Sequence, residues 1–443
     1  MKKILSIVAI CFAFMAVSCE EPGPSIISVP VQLAFNNAPF AIEGVTVTVS
    51  TGTTDFKAQT DASGIATFDL PVGVYSATTS FKRSEAGQLS NYNGTASINV
   101  PALGKDEALT AQNLPVTASK SSQLIIKEVY NGGCMDNANA KSYVYDKYII
   151  IYNNSDTEVD ASNMCIAMAQ VANSNTAAGN KYTITNGIIE YETAGWTPAS
   201  FAIWWFQEGV SVKIAPYSQI VVAINGAIDH TKTYNNSVDL SKADYCMYDL
   251  ESGFKLAAAY PAPSADIPAN HYMKTYLYGT KTTTAWPFPI KTAAPFLIMP
   301  GSDIRTFVQT ESNFDNRATN LSGNFAKIPT SWVLDAVDLW SAADETKFFG
   351  RFPTTVNVGY VVFATNNKGY TIYRNVDKEA TEAIAENSGK IVYNYAGAVN
   401  ADSSDPSGID AEASIAKGAK IVYMDTNNSS NDFHVRKVAS IKK

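Results

Sequence analysis

Histidine is scarce in this sequence: His230, His271 and His434 are the only three, and they lie far apart. A His-Glu-x-x-His zinc helix needs two histidines one helical turn apart, so that chemistry is excluded. The sequence also lacks a Gly-x-Ser-x-Gly elbow, a Walker A loop and a Gly-x-Gly-x-x-Gly loop. Charge is low, with 33 basic residues against 41 acidic ones and a formal net charge of −8. Such an acidic balance disfavours nucleic acid and a polybasic membrane contact. Of the five cysteines, Cys11 and Cys19 lie near the N-terminus, leaving Cys134, Cys165 and Cys246. Three thiols make at most one disulfide, and their spacing fits no zinc pattern, so buried structural thiols are expected. No catalytic residue, metal ligand or cofactor site is read, and the expectation is a protein that is not an enzyme. Carboxylates converging on a glycosidic bond leave no local spacing, so a hydrolase stays open as an alternative.

Long apolar runs are also missing from the leader. Lys2 and Lys3 precede an apolar run from Ile4 to Val17, 14 residues long. A membrane-crossing helix needs about 20. A positive start, a short apolar stretch and small residues form a secretory signal instead. The run ends at Ala16-Val17-Ser18-Cys19, and Glu20-Glu21-Pro22-Gly23-Pro24 follows. Residues 1–18 thus read as a lipoprotein signal peptide, with Cys19 as the lipidated residue. Without Lys2 and Lys3 the mature chain has 31 basic and 41 acidic residues, a net charge of −10. Glu20-Glu21 resembles the surface-export signal of Bacteroidetes lipoproteins. That resemblance implies an outer-membrane protein exposed at the cell surface and tied to the membrane through Cys19.

Tyr, Thr, Val and Ile are prominent, which favours strands over helices. Residues 19–28 read as a tether and 29–114 as a small β domain. Val45, Val47 and Val49 alternate with Thr46 and Thr48, the period of a half-buried strand. Thr60 to Gly64 makes an Asp-x-x-Gly turn, Ala66, Phe68 and Leu70 alternate again, and Pro71-Val72-Gly73 turns into a further strand. These forty residues resemble the carboxypeptidase-regulatory or prealbumin-like Ig module. Residues 115–123 read as a Thr/Ser-rich linker.

A second β domain is expected over 124–443. Leu124 to Tyr130 forms a strand, and Tyr148 to Asn153 leads into Val159-Asp160-Ala161-Ser162. Glu128, Tyr148, Ile149, Tyr152, Asn153 and Val159 to Ser162 resemble the lamin-tail type of Ig-like sandwich. Ile150 replaces a usual acid, and Tyr217 of Ile214-Ala215-Pro216-Tyr217-Ser218 stands where that pattern has glycine. Polar insertions run from Gln170 to Ser200 and from Lys232 to Ile290, and long loops of this kind are functional or disordered. One helix is expected after Asn375 as cap, with Asp377 and Glu379 in its first turn and Gly389 beyond its end. Trp204-Trp205-Phe206, Ser237 to Asp244, Lys327 to Val337 and Asp425 to Phe433 together resemble a domain-of-unknown-function family of Bacteroidetes lipoproteins. That resemblance implies a surface partner of a TonB-dependent outer-membrane transporter.

The binding candidates are aromatic. In a strand, Trp204 and Trp205 point to opposite faces, and Trp286-Pro287-Phe288-Pro289 is rigid. Tryptophan is buried on average, so core filling is the default for such rings. If exposed, Trp204, Trp205 and Trp286 would suit a glycan or a protein partner. Asp425, Asn427, Ser429 and Asp432 resemble an oxygen-rich calcium loop, but a turn capped by its own side chains is the simpler reading. The acidic stretch Asp402 to Glu412 is read the same way. The expectation is therefore an all-β protein: a small Ig-like, prealbumin-like sandwich followed by a larger lamin-tail-like sandwich with long insertions. Its expected work is binding a nutrient or partner, with a structural or fimbria-like component as the alternative.

Overall fold

A computed structural model describes residues 26–442, apart from 52–53, 86–87, 105–106, 121, 170–189, 201, 255–258, 278–285, 287, 316–324 and 364–366. Residues 1–18, expected to be a signal peptide, lie outside the described residues, as do Cys19, the early part of the first insertion and Pro287. The fold is all-β with several sheets, and its helices are short. Among the described residues no helix is long and apolar enough to cross a membrane. The chain divides into two compact units, Met1–Lys82 with Tyr92–Ala118, and Arg83–Asn91 with Ser119–Lys443.

The first unit is built on strands β1 (Ile26–Phe35), β2 (Thr46–Ser50), β3 (Asp55–Gln59), β4 (Ile65–Pro71), β5 (Gly73–Glu85), β6 (Gln88–Val100) and β7 (Gln112–Lys120). They run in the order β3-β2-β5-β6-β7-β1, with β4 on the other side of β1. The alternation seen in the sequence sets the inner face. Val29, Val31, Leu33, Val47, Val49, Phe68, Leu70, Leu114 and Val116 share one core. Asp61 accepts hydrogen bonds from the backbone of Ser63 and Ile65, closing the turn at Gly64. Gly64 has φ +80°, and a Cβ there would lie 1.9 Å from the Phe40 carbonyl oxygen, so glycine is required.

Two boundaries differ from the sequence reading. Strand β1 starts at Ile26, inside the expected tether, and β7 runs through Lys120, inside the expected linker. Composition suggested a linker at 115–123, but Leu114 and Val116 alternate inward, and Pro115 sits opposite Ala34 in the parallel β1–β7 pair.

The second unit contains two large sheets. One runs β13 (Tyr245–Cys246), β12 (Gln219–Ala223), β9 (Tyr148–Asn153), β8 (Leu124–Tyr130), β17 (Thr371–Arg374), β18 (Phe433–Arg436). The other runs β14 (Lys274–Leu277), β11 (Ala202–Trp205), β10 (Cys165–Met168), β15 (Pro295–Ile298), β16 (Val333–Ala336). Ile149, Ile151, Val222 and Ile372 of the first meet Ile166, Met168, Trp204 and Leu297 of the second in one core. Both sheets are covered on their outer faces as well. Tyr148 and Ile150 enter a second cluster, Tyr152 a third, and Cys165, Phe296 and Ile298 a fourth. Every residue of β9 is therefore buried. This is why Ile150 stands where an exposed strand would carry an acid.

Tyr217 adopts φ +52°, the left-handed conformation that explains a glycine preference at this turn. The expected helix is Lys378–Glu382. Its cap is Asp377, which accepts from the Ala380 amide at 3.0 Å, and not Asn375. Asn375 instead donates to the Asn431 carbonyl oxygen and contacts His434 Nδ1.

Candidate functional site

A groove of about 890 Å³ in the second unit is lined by residues of β11, β14 and the loops beside them. Period two in β11 creates it. Ile203 and Trp205 face one side, and Trp204 faces the inter-sheet core. Trp204 is fully buried, stacked 5.9 Å from Phe254. Trp205 is half-buried, with one part packed on the outer cluster and one part lining the groove.

Fixed loops frame this ring. Past β11, the Gln207 amide donates to the carbonyl oxygens of Ala269 and Tyr272 at 2.8 and 2.7 Å, and Gly209 turns the chain with φ +78°. On one rim Asp249 accepts from the Thr275 amide at 3.1 Å and from Lys274 Nζ at 3.2 Å. Glu251 lies 3.7 Å from the same lysine. On the other rim Arg305 bridges Asp303, at 2.9 Å, and Glu208. Asp303 also caps the short helix Ile304–Phe307 through the Arg305 amide at 2.8 Å. Hydrogen bonding from Arg305 holds the Asp303 carboxyl below its ordinary value, so it stays an acceptor. The groove thus offers one aromatic face between two ion-paired rims, with four carboxylates against two cations.

Of the expected binding residues, only Trp205 reaches the groove. Trp204 and Trp286 are corrections to the sequence reading: both are buried, at 0% and 2% exposure. Trp286 stacks on Phe288 at 5.5 Å, and its amide donates to the Tyr260 hydroxyl. The segment is tied inward because Lys147 Nζ donates to the Phe288 carbonyl oxygen at 2.6 Å, and Asn131 donates to those of Pro289 and Ile290. Folded insertion loops bury these rings; neighbouring residues in the sequence do not reveal that.

The oxygen-rich loop serves the interior. Asp432 accepts from the Thr426 amide and hydroxyl, and Asn428 caps Ser429–Asp432 through the Ser430 amide. Arg374 lies 3.7 Å from Asp425, 3.8 Å from Asp432 and against Asp335. Within the acidic stretch, Asp405 accepts from the Val376 amide, Asp410 caps Ala411–Ala416, and Glu412 pairs with Lys127. Among the described residues no group of three or more His, Cys, Asp or Glu side chains is placed to hold a metal. The three histidines stay apart. His230 contacts Tyr143, His271 stacks on Tyr245, and His434 contacts Tyr395. Cys134, Cys165 and Cys246 are free and buried, and burial pushes Cys134 and Cys246 up to about 12. Sequence reasoning missed Glu208, Asp249, Lys274, Asp303 and Arg305. They come from four separate segments, and no local pattern joins them.

Residues 215–440, just over half the chain, match the family described as "Protein of unknown function (DUF4876)". The chain belongs to the DUF4876 family. A DUF4876 family protein from Bacteroides thetaiotaomicron VPI-5482 shares the fold, with a TM-score of 0.52 and 20% identity over 92% of this chain and 94% of that one. A protein from Bacteroides ovatus described as a putative adhesin matches 32% of this chain and 54% of its own, with 10% identity and a TM-score of 0.16, which carries no argument. No curated protein matches. Within the DUF4876 match lie Asp249, Lys274, Asp303 and Arg305, whereas Trp205 and Glu208 precede it.

Proposed function

We propose that this DUF4876 protein is a lipid-anchored surface binding protein that captures a neutral oligosaccharide in the Trp205 groove. The observation carrying the reading is the half-exposed Trp205 ring between the Asp249–Lys274 and Asp303–Arg305–Glu208 pairs. A sugar ring presents an apolar face for stacking and a rim of hydroxyls that both donate and accept. Carboxylates held by cations accept from those hydroxyls, and the cations donate to them. Each rim sets two carboxylates against one cation, which disfavours an anionic ligand. The volume is that of a small-ligand site. The leader ending at Cys19, with Glu20-Glu21 after it, supports an anchor at the outer surface. There a captured ligand would be passed to a TonB-dependent transporter.

The test is calorimetric titration of the full chain with soluble neutral oligosaccharides. Binding is expected, and Trp205→Ala is expected to weaken it about tenfold, the scale of one lost aromatic contact. In cells, Cys19→Ser is expected to move the protein from the membrane to the soluble fraction. Undiminished sugar binding by Trp205→Ala would overturn the groove assignment, and membrane retention of Cys19→Ser would overturn the anchor.

A further inference from the structure

A second constellation lies outside the groove and uses none of its residues. It begins at a bulge in β8. Ile150 of β9 pairs with Glu128 and Ile151 with Ile126, so Lys127 is the extra residue of the ladder. The bulge aims Lys127 away from the inter-sheet core, onto the outer face of the six-stranded sheet. There the side chain is only 1% exposed. Its ammonium lies 5.9, 5.5 and 5.7 Å from the ring centres of Tyr152, Tyr373 and Tyr423.

Two polar groups enter this aromatic cage. Lys127 Nζ donates to Gln219 Oε1 at 2.7 Å and lies 2.7 Å from Glu412 Oε1. Gln219 begins β12, two strands away from β8 in the same sheet, and Glu412 sits in the helix Ala411–Ala416. The Tyr373 hydroxyl donates to the same Glu412 oxygen at 2.6 Å and contacts the Tyr423 hydroxyl at 2.9 Å. The Gln219 amide carbon lies one carbonyl bond, about 1.2 Å, beyond the oxygen that Lys127 touches. An amine, an amide carbon and a carboxylate thus meet in an aromatic enclosure.

We infer that Lys127 and Gln219 form an intramolecular isopeptide bond, with Glu412 as the proton carrier. The resting state is the ion pair. Glu412 takes a proton from the ammonium along the 2.7 Å contact. The freed Nζ lone pair attacks Gln219 Cδ. The tetrahedral intermediate collapses, the bond from Cδ to the amide nitrogen breaks, and Glu412 returns its proton to that nitrogen, which leaves as ammonia. The second proton lost by Nζ leaves on ammonia as ammonium, and Glu412 ends as a carboxylate. No oxidant or cofactor is consumed. Proximity supplies the catalysis, because the amine, the amide and the carboxylate are held side by side before the reaction starts. Gln219 is only half-buried, which gives ammonia an exit and makes the step irreversible. The product is a covalent tie from β8 to β12 across β9, closing a loop between positions 92 apart.

Peptide mapping of the full chain by mass spectrometry decides this. The expected result is one branched peptide carrying residues 127 and 219, one ammonia lighter than its two parts, and no cleavage by trypsin after Lys127. Glu412→Gln, with folding confirmed by circular dichroism, is expected to yield the two parts separately. Separate, unlinked peptides from the folded unsubstituted protein would overturn the proposal, even if the Glu412 variant fails to fold. A branched peptide that persists in a folded Glu412→Gln chain would overturn the role of Glu412.

Discussion

At the residue scale, the second unit holds charge where water does not reach, and this makes its stability depend on pH. Arg374 is fully buried against Asp335, Asp425 and Asp432. Burial pushes Asp335 and Asp432 up to about 6, because one guanidinium cannot satisfy three carboxylates. Both values lie above the ordinary 3.8. Their contribution is therefore complete below about 3.8 and is lost as pH rises through about 6. His434 works in the opposite direction. It is buried between Tyr395 and Asn375, and burial pushes its imidazole down to about 3. Its contribution is complete above about 6.5 and is lost as pH falls toward 3. At pH 5 this loss amounts to about 2 kcal/mol. His434→Gln removes that term and leaves the carboxylates in place. The melting temperature at pH 5, measured relative to pH 7, is expected to rise in His434→Gln compared with the unsubstituted chain. An unchanged or lowered difference would mean that His434 accepts a proton in the folded state.

Strands were the readable elements. Valine alternation located β2, and the Asp-x-x-Gly turn after β3 appears with Asp61 and Gly64 in their expected roles. The run from Tyr148 to Asn153 was readable as a strand, but not as one covered on both faces, because the residues that cover it, Ile166 and Leu297 on one face and Val238, Leu240 and Tyr423 on the other, are far away in the sequence. The same limit applied to the tryptophans. Period two separated Trp204 from Trp205 but could not say which faced outward, since Phe254 and Tyr260, the rings that pack on Trp204, lie in a distant loop. The rims of the groove were illegible for the same reason. Adjacent rings on opposite faces predict opposite phenotypes. Trp204→Ala removes a fully buried ring from the inter-sheet core and is expected to cost about 3 to 5 kcal/mol. Trp205→Ala leaves that core intact and is expected to cost about 1 kcal/mol or less, with its main effect on sugar binding. Denaturant titration of both variants checks this, and equal destabilisation would mean that the Trp205 ring packs as deeply as its neighbour.

At the scale of the whole molecule, each compact unit carries its own apolar core. Val29, Val31, Leu33 and Phe68 belong to one, and Ile149, Ile166, Trp204 and Leu297 to another, with no residue shared. A unit with its own core has what it needs to unfold cooperatively by itself, whereas two units with one core would melt together. Scanning calorimetry of the full chain is therefore expected to show two transitions. The larger heat belongs to the second unit, because the enthalpy of unfolding scales with the number of residues. Trp204→Ala is then expected to lower the transition with the larger heat and leave the other within about 1 °C, since the two cores have no residue in common. If both transitions moved together, or only one were seen and shifted as a whole, the two cores would be melting as one cooperative unit. The independence inferred from their separate residue sets would then be wrong.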